Sequence, residues 1–129
     1  MKIAVDLHGT ITRYPEKFMW MMSSWITAGD EVFVLSGPPK DEVLAELESL
    51  GFIRGIHFNH VVSIVDYLMN GKKVRMWQDE KNSWWSEPEH WWSAKADLCE
   101  EFGADVLIDD TAKYAEKLDT NRTMFWLVI

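Results

Sequence analysis

Met1-Lys2-Ile3-Ala4-Val5-Asp6-Leu7-His8-Gly9-Thr10-Ile11-Thr12 opens the chain and decides how the rest of it is read. Lys2 to Val5 is a short apolar run bounded by polar residues, the pattern of a buried strand. It delivers Asp6 at its end, and the glycine-bearing turn Leu7-His8-Gly9-Thr10 follows at once. Open α/β sheets place their chemistry at such a point, because strand ends aim backbone N–H groups and side chains into one crevice. Taken alone, Asp6 would read as a strand cap and Gly9 as a turn former. The remainder of the chain has to separate the two readings.

Downstream of this stretch, strand and helix patterns alternate. Ile11 to Tyr14 reads as a loop, and Pro15 suits the first turn of a helix bearing Phe18, Met22, Trp25 and Ile26 at helical spacing. Glu31 to Leu35 is a second buried strand, handing off to Ser36-Gly37-Pro38-Pro39. The next helix carries Val43, Leu44, Leu47 and Leu50 on one face and is closed by Gly51. Ile56-His57-Phe58 suggests a short third strand, and Val61 to Leu68 suits either a strand end or a helix. Lys73 to Gln78 alternates with period two, Asp79 to Asn82 makes a turn, and Ser83-Trp84-Trp85 returns, so a β-hairpin is predicted. Pro88 opens a helix in which Trp91, Lys95, Leu98 and Phe102 step by four, three and four, stopped by Gly103. Asp105 to Ile108 is another buried strand and delivers Asp109-Asp110-Thr111. A short helix, Ala112 to Leu118, and a last strand, Thr123 to Ile129, complete the chain. The expectation is one Rossmann-like α/β domain over residues 1–129, a mostly parallel sheet with helices on both faces. A hairpin-bearing lid insertion is expected over about 61–87.

Composition narrows the function classes. At 129 residues there is room for one core, and 47% apolar with 26% charged residues is ordinary globular usage. A net charge of −8 argues against nucleic-acid backbone binding, which depends on Lys and Arg neutralising phosphates. It leaves open a small phosphorylated substrate. The single cysteine, Cys99, excludes an intrachain disulfide and a multi-cysteine metal site, and its helical apolar setting suggests a buried, inert thiol. No apolar run approaches ~20 residues, so no membrane span is expected. With no basic and apolar leader pattern at Met1, a cytoplasmic location is the expectation.

Three strands end in polar groups: Asp6 with Gly9-Thr10, Ser36-Gly37, and Asp109-Asp110. In a parallel sheet these ends share one edge. Lys95 is a fourth group, because a lysine on an apolar helical stripe costs stability unless its ammonium meets an anion. Each has a plainer reading by itself: Lys95 as a snorkelling side chain, Asp109-Asp110 as a helix cap. Together they suit one chemistry. Asp6, Asp109 and Asp110 offer hard oxygen ligands for Mg²⁺. Lys95, the Ser36 hydroxyl and loop N–H groups would neutralise a phosphoryl group, and Asp6 would attack phosphorus to give an aspartyl-phosphate that water cleaves.

In these residues the chain resembles the haloacid dehalogenase superfamily of phosphatases and phosphotransferases. The likeness rests on Asp6-Leu7-His8-Gly9-Thr10, Val32-Phe33-Val34-Leu35-Ser36, Lys95 and Ile108-Asp109-Asp110, which follow that family's four motifs in order along essentially the whole chain. The resemblance implies Asp6 as nucleophile and metal ligand, the His8 backbone carbonyl as a second ligand, and Ser36 and Lys95 on the phosphoryl group. Asp109 and Asp110 would complete the metal site, with Gly9, Thr10 and Gly37 shaping the phosphate loop. One position departs from the pattern: the family's phosphatases carry a second Asp, the general acid, where this chain has His8. Imidazole can also carry protons near neutral pH. The implied activity is Mg²⁺-dependent hydrolysis of a phosphate monoester with His8 as acid/base; the alternative is a phosphate- and metal-binding protein with impaired turnover.

Two further expectations concern partners. Trp77, Trp84 and Trp85 in the hairpin either lean over the crevice, where an indole would stack on a nucleobase or sugar, or pack a satellite core or homo-oligomer interface. The substrate could be a small phosphate ester, a nucleotide included, or a bulky phosphorylated end. A receiver-type phosphoacceptor domain also uses paired Asp, Ser/Thr and Lys, but its acidic pair follows the first strand, whereas here Asp109-Asp110 comes late and after Lys95.

Overall fold

β1 (Lys2–Val5) is the middle strand of a five-stranded sheet in the computed structural model of the chain, which describes residues 1–129. With β2 (Glu31–Ser36), β3 (His60–Ser63), β6 (Val106–Asp109) and β7 (Met124–Leu127), it forms the order β3-β2-β1-β6-β7. Every pairing is parallel. The chain winds outward from β1 through β2 to β3, then resumes on the other side of β1 with β6 and β7. The reversal of direction therefore falls between β1 and β6, the place where a doubly wound sheet opens a crevice at its strand ends.

Both faces of the sheet are covered, which is why its inner strands read as continuous apolar runs. Ile3, Val5, Val32, Val34, Val106 and Ile108 face a core closed by Phe18 and Met22 of α1 (Pro15–Thr27) and by Val43 and Leu47 of α2 (Lys40–Ser49). The alternate residues Ala4, Leu35 and Leu107 face Ala96, Leu98 and Cys99 of α4 (Pro88–Phe102) on the other side. The expected α/β architecture is present from end to end. Cys99 is buried there as expected, and burial pushes its thiol up to about 12, so it is inert as a nucleophile. No helix is long and apolar enough to cross a membrane.

The third strand lies further along than the sequence suggests. Ile56-His57-Phe58 is not a strand: Gly55 takes φ +89°, and the Ile53 N–H donates to His57 Nδ1 at 2.9 Å, folding this segment into a turn. The sheet resumes at β3, where Phe33 pairs with His60 and Ser36 with Ser63. Val61 to Leu68 is strand and helix in succession, divided at Ser63, whose hydroxyl accepts the Asp66 N–H and caps α3 (Ile64–Asp66). Residues 61–63 thus belong to the main sheet, and the insertion is shorter than 61–87.

The predicted hairpin is present as β4 (Met76–Gln78) and β5 (Trp84–Ser86), an antiparallel pair separate from the main sheet. Asp79 organises its turn. One carboxylate oxygen accepts the Lys81 and Ser83 N–H groups, and the other accepts the Trp85 indole N–H at 2.9 Å.

The α1–α2 core sets the platform for the strand ends. Leu47 is fully buried in it, so Leu47→Ala should cost about 2–5 kcal/mol. Urea titration should give a lower midpoint with an unchanged slope; an unchanged midpoint would mean that this face does not pack as described.

Candidate functional site

The site is assembled by three strand ends and one helix. Asp6 follows β1 directly, and its N–H still bonds to the Ile108 carbonyl, so the ladder carries the residue to the sheet edge. Asp109 is the last residue of β6, on the strand next to β1. Lys95 approaches from α4, across the Ala4–Leu107 face, with its side chain 1% exposed. Its ammonium donates to Asp6 Oδ1 at 2.8 Å and to Asp109 Oδ2 at 2.5 Å. The lysine on the apolar stripe therefore does meet anions, and two of them.

The surrounding hydrogen bonds fix which oxygens are already taken. Asp109 Oδ1 accepts the Thr111 N–H at 3.0 Å, so both of its oxygens are engaged. Asp6 Oδ2 has a longer bond, 3.4 Å, from the buried Thr10 hydroxyl. Asp110 is exposed, with only the Thr111 hydroxyl near its Oδ1, at 3.3 Å. Donor atoms of Asp6, Asp109 and Asp110 all fall within 4.8 Å of one another. Three carboxylates this close, with Asp6 Oδ2 and Asp110 Oδ2 the least engaged, could hold a hard divalent cation.

The charges in the cluster are unbalanced. One ammonium faces two buried carboxylates, and Asp110 adds a third negative group beside them. Burial pushes the Asp6 carboxyl up to about 6, against the pull of Lys95, and Asp109 adds to the rise. Burial likewise raises Asp109. For Lys95, burial opposes the charge, but the two carboxylates outweigh it and its pKa is raised.

The turn after β1 is a single wide helical turn, Leu7–Ile11, broken at His8 and Gly9. Gly9 has φ +79°, and a Cβ there would collide with the Asp110 carboxylate. Glycine is required on both counts. Its N–H donates to Thr12 Oγ1 at 2.9 Å. Ser36 is buried at the end of β2, and the Gly37 carbonyl accepts the Val65 N–H, tying this second turn to α3.

Asp6, Thr10, Lys95, Asp109 and Asp110 are thus brought together, with Gly9 between Thr10 and Asp110. The His8 side chain goes elsewhere. It is half exposed, and its Nε2 lies 2.5 Å from Glu46 Oε2 on α2. Glu46 was not legible in the sequence, since nothing local marks a partner 38 positions away. Tyr114 was also missed. Its ring lies under the Lys95 ammonium, 4.2 Å from Nζ to centroid, and its hydroxyl accepts the Trp91 indole N–H at 2.9 Å. The only available signal was its place five residues past Asp109. Comparison with family models, curated proteins and solved structures gives no match for this chain.

Two predictions test the electrostatics. Asp6, with its folded pKa raised, contributes stability below its unfolded value near pH 4, and that contribution is lost as pH rises through about 6. In EDTA at pH 7, Asp6→Asn should therefore stabilise the protein by about 1–3 kcal/mol, and the gain should vanish near pH 4. Thermal melts at the two pH values measure this, and equal destabilisation at both would contradict it. Gly9→Ala should fold with a loss of about 1–3 kcal/mol, because a residue with a Cβ is held at positive φ. It should weaken Mg²⁺ or Mn²⁺ binding, read by calorimetry, as much as Asp110→Asn does, because the new methyl displaces that carboxylate.

Proposed function

We propose that the chain is a Mg²⁺-dependent phosphohydrolase of the haloacid dehalogenase type, cleaving a phosphate monoester through an aspartyl-phosphate on Asp6. The observation that carries this reading is the Lys95 ammonium held between Asp6 and Asp109 at the sheet's switch point, with Asp110 alongside. A core does not need this arrangement. Buried like charges gathered around one cation are costly unless a ligand uses them.

Bound between the carboxylates, Mg²⁺ would supply charge neutralisation on the phosphoryl oxygens. The chain's own residues do the remainder. Asp6 Oδ2, held only by the long Thr10 bond, is the oxygen free to attack phosphorus. Lys95, fixed on Oδ1, keeps the carboxylate oriented and faces the phosphoryl charge. As the new O–P bond forms, the bond from phosphorus to the ester oxygen breaks. His8 gives a proton to the departing alkoxide, then accepts one from the water that cleaves the acyl phosphate and releases phosphate. Ser36 and the Gly9-Thr10 and Gly37 turns border the phosphoryl position.

One observation favours the second reading, a phosphate- and metal-binding protein with impaired turnover. The His8 imidazole is bonded to Glu46, outside the Asp6–Lys95–Asp109 network. The two readings separate in one assay of phosphate release from an aryl phosphate with Mg²⁺ or EDTA. The phosphatase reading expects Mg²⁺-dependent turnover, abolished in Asp6→Asn and reduced about 10²–10⁴-fold in His8→Ala. Silence in the wild type with turnover gained in His8→Asp would establish the second reading instead.

A further inference from the structure

The hairpin, the helix carrying Lys95 and the turn after β2 meet at a cleft of about 290 Å³. Gly37 and Pro38 form one side, Val65 the floor side, and Asn82 and Trp84 of the hairpin the roof; Trp91 of α4 closes it. Gly37 directly follows Ser36, so the cleft begins one residue beyond the strand end of the proposed phosphoryl site. Trp91 sits one helical turn before Lys95, about 6 Å along the axis. Its orientation is set by the bond from its indole N–H to Tyr114, whose ring carries the Lys95 ammonium. The aromatic wall and the lysine are thus held by one side chain. Trp84 and Trp91 also border a second cleft, of about 280 Å³, on the side of Trp85 and Trp92.

We infer that the first cleft receives the alcohol part of the substrate, and that this part is a planar aromatic group bearing no further phosphate. Two observations select that class. Two of the lining residues are tryptophans, whose indoles hold flat π systems better than saturated rings, and Asn82 and Ser83 add neutral polar groups. The only charged residue lining the cleft is Glu42, with no Lys or Arg to meet a second phosphate. A nucleoside and a simple aryl alcohol share this chemistry. The inference rests on the phosphatase reading for its cleavage step, and adds to it the identity of the leaving group.

The test compares pairs of esters with the same scissile bond: 5′-AMP against ribose 5-phosphate, and benzyl phosphate against cyclohexylmethyl phosphate. With Mg²⁺, kcat/KM should favour the planar member of at least one pair by about tenfold or more, and that pair identifies the source. Trp84→Leu should collapse the ratio toward one. Gly37→Ala should do the same without altering the hairpin, since its methyl would stand 3.0 Å from the Trp91 ring. Adenosine 3′,5′-bisphosphate should trail 5′-AMP by about tenfold, and parity would overturn the charge restriction. Equal turnover of both members in both pairs would overturn the inference and leave the phosphatase reading intact. If no ester is cleaved, the indole N–H signals of Asp6→Asn decide. Shifts at Trp84 and Trp91 with 5′-AMP or benzyl phosphate, absent with the non-planar partners, would support the cleft without the reaction. No shift would overturn it.

Discussion

A single buried ammonium joins the parts of this structure that have to agree. Lys95 reaches Asp6 and Asp109 only if β1 and β6 are neighbours, if their ends are level, and if α4 crosses the Ala4–Leu107 face. Each condition is a statement about topology, so the ion pairs act as a registry for the fold. Removing Lys95 would strand two buried carboxylates with no counter-charge, a loss of about 3–5 kcal/mol. Replacing the whole set by apolar residues would spare that cost. The set is therefore not explained by stability, and its excess of negative charge is what the proposed cation site would use.

The same lysine connects the strand ends to the hairpin. Tyr114 lies beneath its ammonium and accepts from Trp91, and Trp92 packs on the same tyrosine ring at 4.9 Å. Tyr114, Ile64, Leu68 and Ala94 make a small buried cluster against which Trp91 and Trp92 pack. The tryptophans are consequently divided in role. Trp92 belongs to a satellite core, Trp91 joins that core to the cleft beside Gly37, Trp84 lines the cleft, and Trp85 is held at the surface by Asp79.

What the sequence disclosed and what it hid follow from range. Strands covered on both faces appear as unbroken apolar runs, so β1, β2 and β6 and their terminal Asp6, Ser36 and Asp109 were legible. Lys95 was legible because a charge on an apolar stripe violates the local pattern. β3 was displaced because Ile56-His57-Phe58 carries strand-forming residues but is bent by Gly55 and by a bond onto the His57 imidazole, while β3 begins on an exposed histidine. The pairings of His8 with Glu46 and of Trp91 with Tyr114 were invisible. They join residues 38 and 23 positions apart that no local pattern links.

The His8–Glu46 contact bears on the chemistry through its geometry. The residue two places after a strand-end nucleophile is available to the leaving group only if its side chain stays at the crevice edge. Gly9, turned to positive φ, lets the Thr10 hydroxyl reach back to Asp6 while the His8 side chain stays half exposed against Glu46. Glu46 occupies Nε2, which leaves Nδ1 as the nitrogen for proton exchange with substrate or water. The two groups that the proposed reaction needs, Asp6 and His8, are separated by environment: one carboxylate buried against a lysine, one imidazole steered by a surface carboxylate. In-line displacement needs that separation, since the attacking and departing oxygens lie on opposite sides of phosphorus. In the proposed reaction, an acid on the exposed side would meet the departing oxygen while Asp6 attacks from within. The imidazole's bond to Glu46 is therefore compatible with the proposed turnover, with Nε2 keeping the N–H that Glu46 accepts and Nδ1 the nitrogen left for exchange.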